Sequence, residues 1–436
     1  MKQNSETVYV CVAVDFIHPG HINVLKEAKK RGSVLVGLLT DSAIASYKDL
    51  PVLNYQDRKT ILENLSLVDR IVPQTTLDYT NNLKKYRPQY VIHGDDWKQG
   101  PQQTIRKKVI ETLKEWNGEL LEVPYTKRLS SNSIAKPVTQ TGSTPDIRRS
   151  RLKRLLEAKK NLRFLEAHSG LSGLIVENTF LEEDGKTYSF DGMWASSLTD
   201  ATLRAKPDIE VVDYTSRLKT IDDIFDVTTK PMIFDGDTGG KTEHFLFSVR
   251  WLERIGVSAI IIEDKIGLKK NSLLGNEVFQ EQDTIEGFCQ KIRAGANSLQ
   301  TNDFYIIARI ESLILGKGIQ DAIERAIAYV KSGASGIMIH SRQENPDEIL
   351  EFCSLFKKHN LSVPLIAVPS SYNRIYESEL WDAGVNIVIY ANHLLRSAYP
   401  AMEKVAMSIL KNGRSLEIDD DIMSIKDILK LIPGTA

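Results

Sequence analysis

The chain has little that would suit export, membrane insertion or fibre formation. Its 436 residues hold only three cysteines, Cys11, Cys289 and Cys353, none paired with a second Cys or a His at metal-ligand spacing. That argues against a disulfide framework or a zinc site, and a reducing, cytoplasmic setting is expected. No apolar run approaches the ~20 residues of a membrane span. The opening stretch MKQNSETVYVCVAV also lacks the apolar core of an export signal. Heptads and short-period repeats are missing. A formal net charge of −1 leaves no overall excess of either sign, which argues against a nucleic-acid-coating protein.

What is present is length and alternation. At ~150 residues per domain, 436 residues suggest two or three domains. The near-neutral total hides an asymmetry: residues 1–164 carry 28 Lys and Arg against 17 Asp and Glu, and the remainder 28 against 40. Residues 138–164 alone account for 8 against 2, so residues 1–137 are only mildly basic. That mild excess suits an anionic ligand, and basic surface helices would produce it equally well.

From Val8 to about Leu120, Val8–Val14, Val34–Leu39, Arg70–Val72 and Tyr90–His93 read as strands. Ile22–Arg31, Gln56–Leu65, Thr80–Tyr86 and Ile105–Trp116 read as helices between them. Near-continuous hydrophobic strands alternating with helices predict an α/β domain with a doubly wound parallel sheet over residues 1–137. Pro137–Asp146 is rich in Pro, Thr, Ser and Gly, which marks residues 138–150 as a linker, with a basic helix over Arg148–Arg163.

Over residues 151–436 the alternation continues. Candidate strands are Gly173–Val176, Met193–Ala195, Glu210–Val212, Pro231–Asp235, Ala259–Ile262, Phe304–Ile310, Gly336–Ile339, Leu365–Val368 and Asn386–Ile389. Eight or nine such strands over this length predict a (β/α)8 barrel. Charged residues gather at the carboxyl ends of several, the face where barrel active sites lie. The segment after Leu410 reads as a polar connector and a short amphipathic helix suited to oligomer contacts.

Two regions carry chemistry. In the first, a strand runs through Asp15 into His18-Pro19-Gly20-His21 and a helix follows. Two imidazoles around a glycine at a helix amino terminus suit a phosphate: the N–H groups and helix dipole attract it, and Gly20 permits close approach. The same residues would also make an ordinary strand–turn–helix corner. His93, inside a strand end, reads as structural.

In the second region, Asp235-Gly236-Asp237-Thr238-Gly239-Gly240 ends a strand with two carboxylates, a set suited to Mg²⁺ or to an Asp-rich turn. Another strand ends in Glu263-Asp264-Lys265 and runs into the polar segment Ile266–Ser272, which suits either a lid or a solvated loop.

His18-Pro19-Gly20-His21 resembles the HxGH motif of the cytidylyltransferase-like nucleotidyltransferases. Gly94-Asp95-Asp96-Trp97, Thr40-Asp41, Lys48 and Arg58 stand where the glycerol-3-phosphate cytidylyltransferase group has its GDDW block, TD pair, phosphate-binding Lys and helix Arg. Arg128-Leu129-Ser130-Ser131-Asn132-Ser133-Ile134 resembles its RTxGIST segment, and Val12-Ala13-Val14-Asp15 stands in place of its GTFD. The resemblance covers residues 8–136. It implies transfer of CMP from CTP to a phosphate or phosphonate oxygen, with His18 and His21 catalytic. Asp15, Gly20, Lys48, Asp95, Arg128, Ser131 and Ser133 would bind nucleotide.

Glu263-Asp264-Lys265-Ile266-Gly267-Leu268-Lys269-Lys270-Asn271-Ser272 is similar to the EDKxxxKxNS signature of phosphoenolpyruvate mutase, in the isocitrate lyase/phosphoenolpyruvate mutase superfamily. Asp235–Gly240 resembles that superfamily's metal segment, and Trp194-Ala195-Ser196-Ser197-Leu198 its substrate loop. Over residues 150–410 this implies conversion of phosphoenolpyruvate to phosphonopyruvate with Mg²⁺. Asp235, Asp237, Glu263 and Asp264 would serve the metal, and Asp208, Lys269, Asn271, Arg309 and His340 catalysis. Trp194, Ser196, Ser197, Leu198 and Ser272 would contact substrate, with backbone N–H groups of Ser196 and Ser197 as donors.

The superfamily's C–C lyases carry a Cys in this loop, which is missing here, and the related phosphonopyruvate hydrolase carries Thr where Asn271 stands. Hydrolysis, C–C cleavage and a non-catalytic nucleotide-binding first domain are the competing expectations. The combination resembles the fused enzymes of fosfomycin-type phosphonate pathways, with an acceptor such as 2-hydroxyethylphosphonate, no nucleic-acid or membrane partner, and a homotetramer by resemblance.

Overall fold

In the computed structural model, residues 6–98, 102–124, 143–183 and 186–432 are described, without the side chains of Asp96 and Lys186. The amino-terminal apolar runs form a parallel sheet of β1 (Thr7–Val12), β2 (Ser33–Leu39), β3 (Arg70–Gln74), β4 (Tyr90–Gly94) and β5 (Glu119–Val123). The order is β3-β2-β1-β4-β5, the doubly wound arrangement expected. Helices α1 (Pro19–Arg31), α2 (Asp41–Ala45), α3 (Tyr55–Glu63), α4 (Thr80–Tyr86) and α5 (Gln103–Lys114) connect the strands. The edge strand β5 was not anticipated, because Glu119-Leu120-Leu121-Glu122-Val123 is interrupted by charge and only partly buried. The order reverses between β1 and β4, and there the HxGH corner and the Gly94 strand end meet.

The rest of the chain is a closed parallel barrel of β6 (Leu162–Glu166), β9 (Gly192–Ala195), β10 (Met232–Asp235), β11 (Ala259–Glu263), β14 (Tyr305–Ile310), β15 (Gly336–Ile339), β16 (Leu365–Ala367) and β17 (Ile387–Tyr390). A surface hairpin, β7 (Phe180–Glu183) with β8 (Lys186–Ser189), follows the first barrel helix. The short pair β12 (Lys265–Ile266) and β13 (Glu281–Gln282) forms the stem of the Ile266–Ser272 loop. Phe164, Trp194, Ile233, Ile261, Ile307, Met338, Ile366 and Ile389 fill the barrel interior.

Three expectations are corrected. Gly173–Val176 is helical, within α7 (Gly170–Asn178), because Ser169 and Ser172 close a capping box ahead of it. The first barrel strand is instead β6, and the basic helix α6 (Pro145–Ala158) stops before it, where Lys159 turns extended. Residues 145–150, read as linker, therefore belong to that helix. Glu210–Val212 is a loop: Glu210 has φ +60°, outside any strand, and Asp213 caps the next helix by accepting from Ser216 N–H.

Helix α6 plugs the barrel's amino-terminal mouth. Leu152 and Leu155 join the barrel interior, together with Leu50 from the first domain. Its basic side chains reach carbonyl oxygens of the barrel floor: Arg148 those of Phe225 (3.0 Å) and Thr228, and Arg149 that of Glu253 (3.0 Å). Phe225 and Glu253 lie in the last turns of α9 (Tyr214–Phe225) and α10 (Thr242–Ile255), where the negative end of the helix dipole attracts cations. Much of the basic excess at this end is thus structural.

The remaining barrel helices are α8 (Ser197–Leu203), α11 (Ile285–Ala296), α12 (Gly318–Lys331), α13 (Asp347–Lys358) and α14 (Glu377–Ala383). After the barrel, α15 (His393–Asn412) and α16 (Ile425–Leu431) expose Tyr399, Met402, Leu410 and Ile425. All three cysteines are free and buried, Cys289 on α11. Among the described residues no helix is long and apolar enough to cross a membrane.

Candidate active sites

At the end of β1 the chain turns sharply. Val14 takes φ +43°, a strained conformation for a β-branched residue, and α1 begins at Pro19 with His18 as its cap. His18 Nδ1 accepts from Gly20 N–H at 3.1 Å, which leaves Nε2–H as the donor of the neutral ring. The His18 and His21 rings lie 3.8 Å apart between centroids. His21 Nδ1 is buried with no hydrogen-bond partner. Burial, then His18 and the Lys48 charge, pull the His21 pKa down to about 4; burial lowers that of His18. Both rings are therefore neutral near pH 7.

These residues line a cavity of about 230 Å³ with Gly20, Tyr47, Tyr79 and Gly94. His93 also stands in its wall, stacked on Trp97 at 3.8 Å, with Nδ1 donating to Gly94 carbonyl (2.8 Å). The structural reading of His93 thus missed a cavity residue. Trp97 is buried and donates to Glu122 (2.8 Å), which seats the Gly94–Trp97 turn. Asp95 lies in that turn, half-buried.

Asp15 holds protein backbone: its carboxylate accepts from Val52 N–H (2.9 Å) and Leu53 N–H (3.0 Å). Lys48 is exposed on the same loop, its Nζ 5.4 Å from the Tyr47 ring centroid. Arg128, Ser131 and Ser133, with the segment Arg128–Ile134, lie outside the described residues.

The barrel site is built differently, from strand ends that supply charges in pairs. Asp235 ends β10 and accepts from both Ser197 N–H (3.1 Å) and Ser197 Oγ (2.8 Å). That N–H, expected to donate to substrate, is spent on Asp235. Ser196 caps α8, its Oγ accepting from Thr199 N–H. Asp237 follows with φ +53°, and a Cβ on Gly236 would stand 2.7 Å from Ile260 and 2.9 Å from Ile261 O, so only glycine fits between the carboxylates.

Beneath them lies Arg217, buried on the apolar face of α9 with Ile221 and Ile224. It donates to Asp200 (2.7 Å), Asp235 O (2.6 Å) and Ala195 O (3.2 Å), and sits 3.5 Å from Asp237. Tyr214 and Glu210 hold the same turn through Gly236 O (2.9 Å) and Thr238 (2.6 Å). Sequence reading missed these three residues. An arginine four and seven positions before Ile221 and Ile224, on a buried stripe, was the available signal for Arg217.

The loop from β12 closes over this turn. Lys265 folds it by donating to Lys270 O (2.9 Å), Ser272 Oγ (3.0 Å) and Gln280 (2.9 Å). Lys269 is thereby buried: its ammonium meets Ser197 Oγ (2.7 Å), Asp208 (2.5 Å) and Asp237. Asn271 donates to the other Asp208 oxygen at 3.0 Å. Arg309 donates to Glu311 (2.6 Å), Ser272 Oγ (2.6 Å) and His340 Nδ1 (3.0 Å), which fixes His340 as the Nε2–H tautomer when neutral. Trp194, Ser196, Ser197, Leu198, Asp208, Asp235, Glu263, Lys269, Asn271, Ser272, Arg309 and His340 share one small cavity of about 70 Å³.

Asp237 and Asp264 are outside that lining, and Asp264 is turned away from it. Its oxygens accept from Glu311 N–H (2.9 Å), Gln282 (2.9 Å), Tyr329 (2.7 Å) and Arg325 (3.2 Å), so both are engaged in a buried network that braces the Arg309–Glu311 segment. Its contacts brace the site from behind and do not face the cavity.

The remaining donor set fits a hard divalent cation. Burial raises the pKa of Asp237 and Glu263, whereas Asp235 stays low because Lys269, Arg217 and Arg309 outweigh its burial. Glu263 Oε1 is buried and unpartnered. Among the described residues no three His, Cys, Asp or Glu side chains converge as an all-protein cage. Mg²⁺ commonly takes one or two carboxylates and completes its shell with water and ligand oxygens, so the set still suits it.

A larger cavity of about 440 Å³ lies between the β7–β8 hairpin and α15, lined by Leu165, Leu181, Phe190 and the Arg163–Glu377 ion pair. It has none of this carboxylate chemistry.

Residues 152–410 match the phosphoenolpyruvate phosphomutase family, and residues 13–150 match the cytidylyltransferase-like family. The chain is 33% identical to a phosphoenolpyruvate phosphomutase of Tetrahymena pyriformis over 302 residues, 69% of this chain and 95% of the relative. It is 35% identical to a phosphonopyruvate hydrolase of a Variovorax species over 262 residues, 60% of this chain and 89% of the relative. A solved phosphonopyruvate hydrolase in complex with oxalate and Mg²⁺ superposes with a TM-score of 0.58 and 33% identity, covering 66% of this chain and 95% of that one.

Proposed function

Because the chain belongs to the phosphoenolpyruvate phosphomutase family, with a cytidylyltransferase-like domain ahead of the barrel, we propose that it is a bifunctional enzyme of phosphonate biosynthesis. The barrel interconverts phosphoenolpyruvate and phosphonopyruvate; the first domain transfers CMP from CTP to a phosphonate such as 2-hydroxyethylphosphonate. The observation that carries the mutase reading is the pair of lid contacts from Lys269 and Asn271 to Asp208, which close the site over Asp235. Overall identity does not choose between mutase and hydrolase, since both kinds of relative match about equally.

In the mutase reaction the enol O–P bond breaks and a P–C bond forms at C3, with no water consumed. Asp235, with Asp237 and Glu263 close by, would hold Mg²⁺, which would supply positive charge against the negative charge of the carbon fragment. Arg309 and His340 Nε2–H are placed to hold the phosphoryl oxygens while the carbon fragment turns. Asn271 and Lys269 exclude water, because a water reaching phosphorus would give pyruvate and phosphate. Asp208 anchors the lid. A C–C lyase is disfavoured, since Cys289 is buried on α11 and the lid has no Cys.

In the first domain no protein nucleophile is needed. The neutral His18 Nε2–H and His21, at the amino terminus of α1, are placed to donate to the α-phosphate as the acceptor oxygen displaces pyrophosphate. The exposed apolar face of α15 and α16 supports self-association. The test is ³¹P NMR of the purified chain with Mg²⁺. Phosphonopyruvate should yield phosphoenolpyruvate, and CTP with a phosphonate should yield pyrophosphate and a CMP-phosphonate. Phosphate release without phosphoenolpyruvate would make the barrel a hydrolase.

A further inference from the structure

The loop that carries Lys48, residues 46–54, has no helix or strand of its own, yet its Tyr47 lines the amino-terminal cavity and its Lys48 charge acts on His21. Its backbone is gripped from two directions. Asp15, three residues before His18, takes the N–H groups of Val52 and Leu53. From the other side Arg154 of α6 donates to Val52 O (2.8 Å) and Pro51 O (2.9 Å). The same guanidinium lies 3.4 Å from Asp41, whose other oxygen takes the buried Arg58 at 2.6 Å, and Arg58 in turn donates to Ala13 O. Leu50 is buried against Leu152 and Leu155, which also plug the barrel.

We infer that Arg154 is a positioning residue for the nucleotide site: helix α6, which plugs the barrel, orders the Lys48 loop and, through Asp15 and Asp41, the β1–α1 corner that presents His18 and His21. The inference rests on the nucleotide reading above only for what the site binds. A two-pronged guanidinium fits two successive carbonyls and a carboxylate at once, whereas an ammonium is a single point of charge. The first domain is therefore built to work on the barrel, and the fusion has a structural function apart from keeping two activities in one chain.

The experiment uses the full-length chain and its Arg154→Ala and Arg154→Lys variants. In Arg154→Ala, KM for CTP should rise about tenfold with a smaller change in kcat, as expected for a displaced binding loop; Arg154→Lys should fall between it and the parent. Amide exchange should quicken in residues 50–55 and 13–21 and stay unchanged in barrel strands, and barrel turnover should persist, which shows that the variants fold. If residues 50–55 exchange as slowly in both variants as in the parent, or KM for CTP does not move, the inference is overturned. A parent chain that releases no pyrophosphate from CTP would instead sink the nucleotide reading, while exchange at Val52 and Leu53 still decides whether Arg154 holds the loop.

Discussion

The two candidate sites are built in opposite ways. The barrel site is crowded with charge: Asp208, Asp235, Asp237 and Glu263 face Lys269, Arg217 and Arg309, and nearly every oxygen has a named partner. The amino-terminal cavity keeps His18 and His21 neutral by burial and draws on helix amide groups, with the Lys48 charge near enough to oppose protonation of His21. A site that must steer two fragments of a broken bond needs many fixed charges, each held by a second residue. A site that orients one polyphosphate for displacement can leave more of the neutralisation to its ligands. The first kind leaves a dense signature in sequence, and the second leaves a few short motifs.

If the sites are separate, the largest effects should be selective. Asp235→Ala removes the carboxylate that seats Ser197 and is proposed to hold the metal, and should lower phosphonopyruvate turnover by about 10³-fold or more while CMP transfer continues. His21→Ala should lower CMP transfer by about 10²- to 10⁴-fold and leave the barrel reaction intact. Steady-state rates for both reactions on each variant check this; loss of both activities from either change would break the comparison.

Next in size is a stability effect. Arg217→Met would strand Asp200 and crowd Asp237 in the interior, a change that typically costs about 3–5 kcal/mol. Urea unfolding should show a large drop in the barrel transition, and a drop below about 1 kcal/mol would mean that Arg217 is not the counter-charge described here. A smaller effect is expected at the lid. Asn271→Thr removes the hydrogen bond to Asp208, worth roughly tenfold, and should raise phosphate release from phosphonopyruvate relative to phosphoenolpyruvate formation, read in one ³¹P spectrum.

The fold was largely legible because both sheets are parallel and buried on both faces, so their strands stand out as continuous apolar runs. The failures share a cause. Gly173–Val176 is as apolar as a strand, but Ser169 and Ser172 commit it to a helix; β5 carries charge because it is an edge. At the barrel site the strand-end residues were legible from their position, but the partners were not. Arg217 is far in sequence from the carboxylates it supports, and Asp264, one residue past the end of β11, turns into the Arg325–Tyr329 network. Asp15 was legible as a residue of the β1–α1 corner, but its hold on the Val52 and Leu53 N–H groups, distant in sequence, was not.

The finest test of the contrast is titration. His21 has a pKa of about 4 in the folded chain because burial, His18 and Lys48 all oppose its protonation, whereas a histidine in an unfolded chain titrates near ~6.5. The sign follows from linkage: between these values the unfolded chain binds more protons, so the contribution of neutral His21 to stability is intact above about pH 6.5 and is lost as pH falls towards 4. With labelled histidine, the imidazole signal that disappears in His21→Ala should stay in its neutral position down to about pH 5. The acid-side loss of stability in the first domain should be shallower in that variant. A His21 signal that moves through its midpoint near 6.5 would mean a solvated imidazole, and the amino-terminal site would then depend on exposed charge after all.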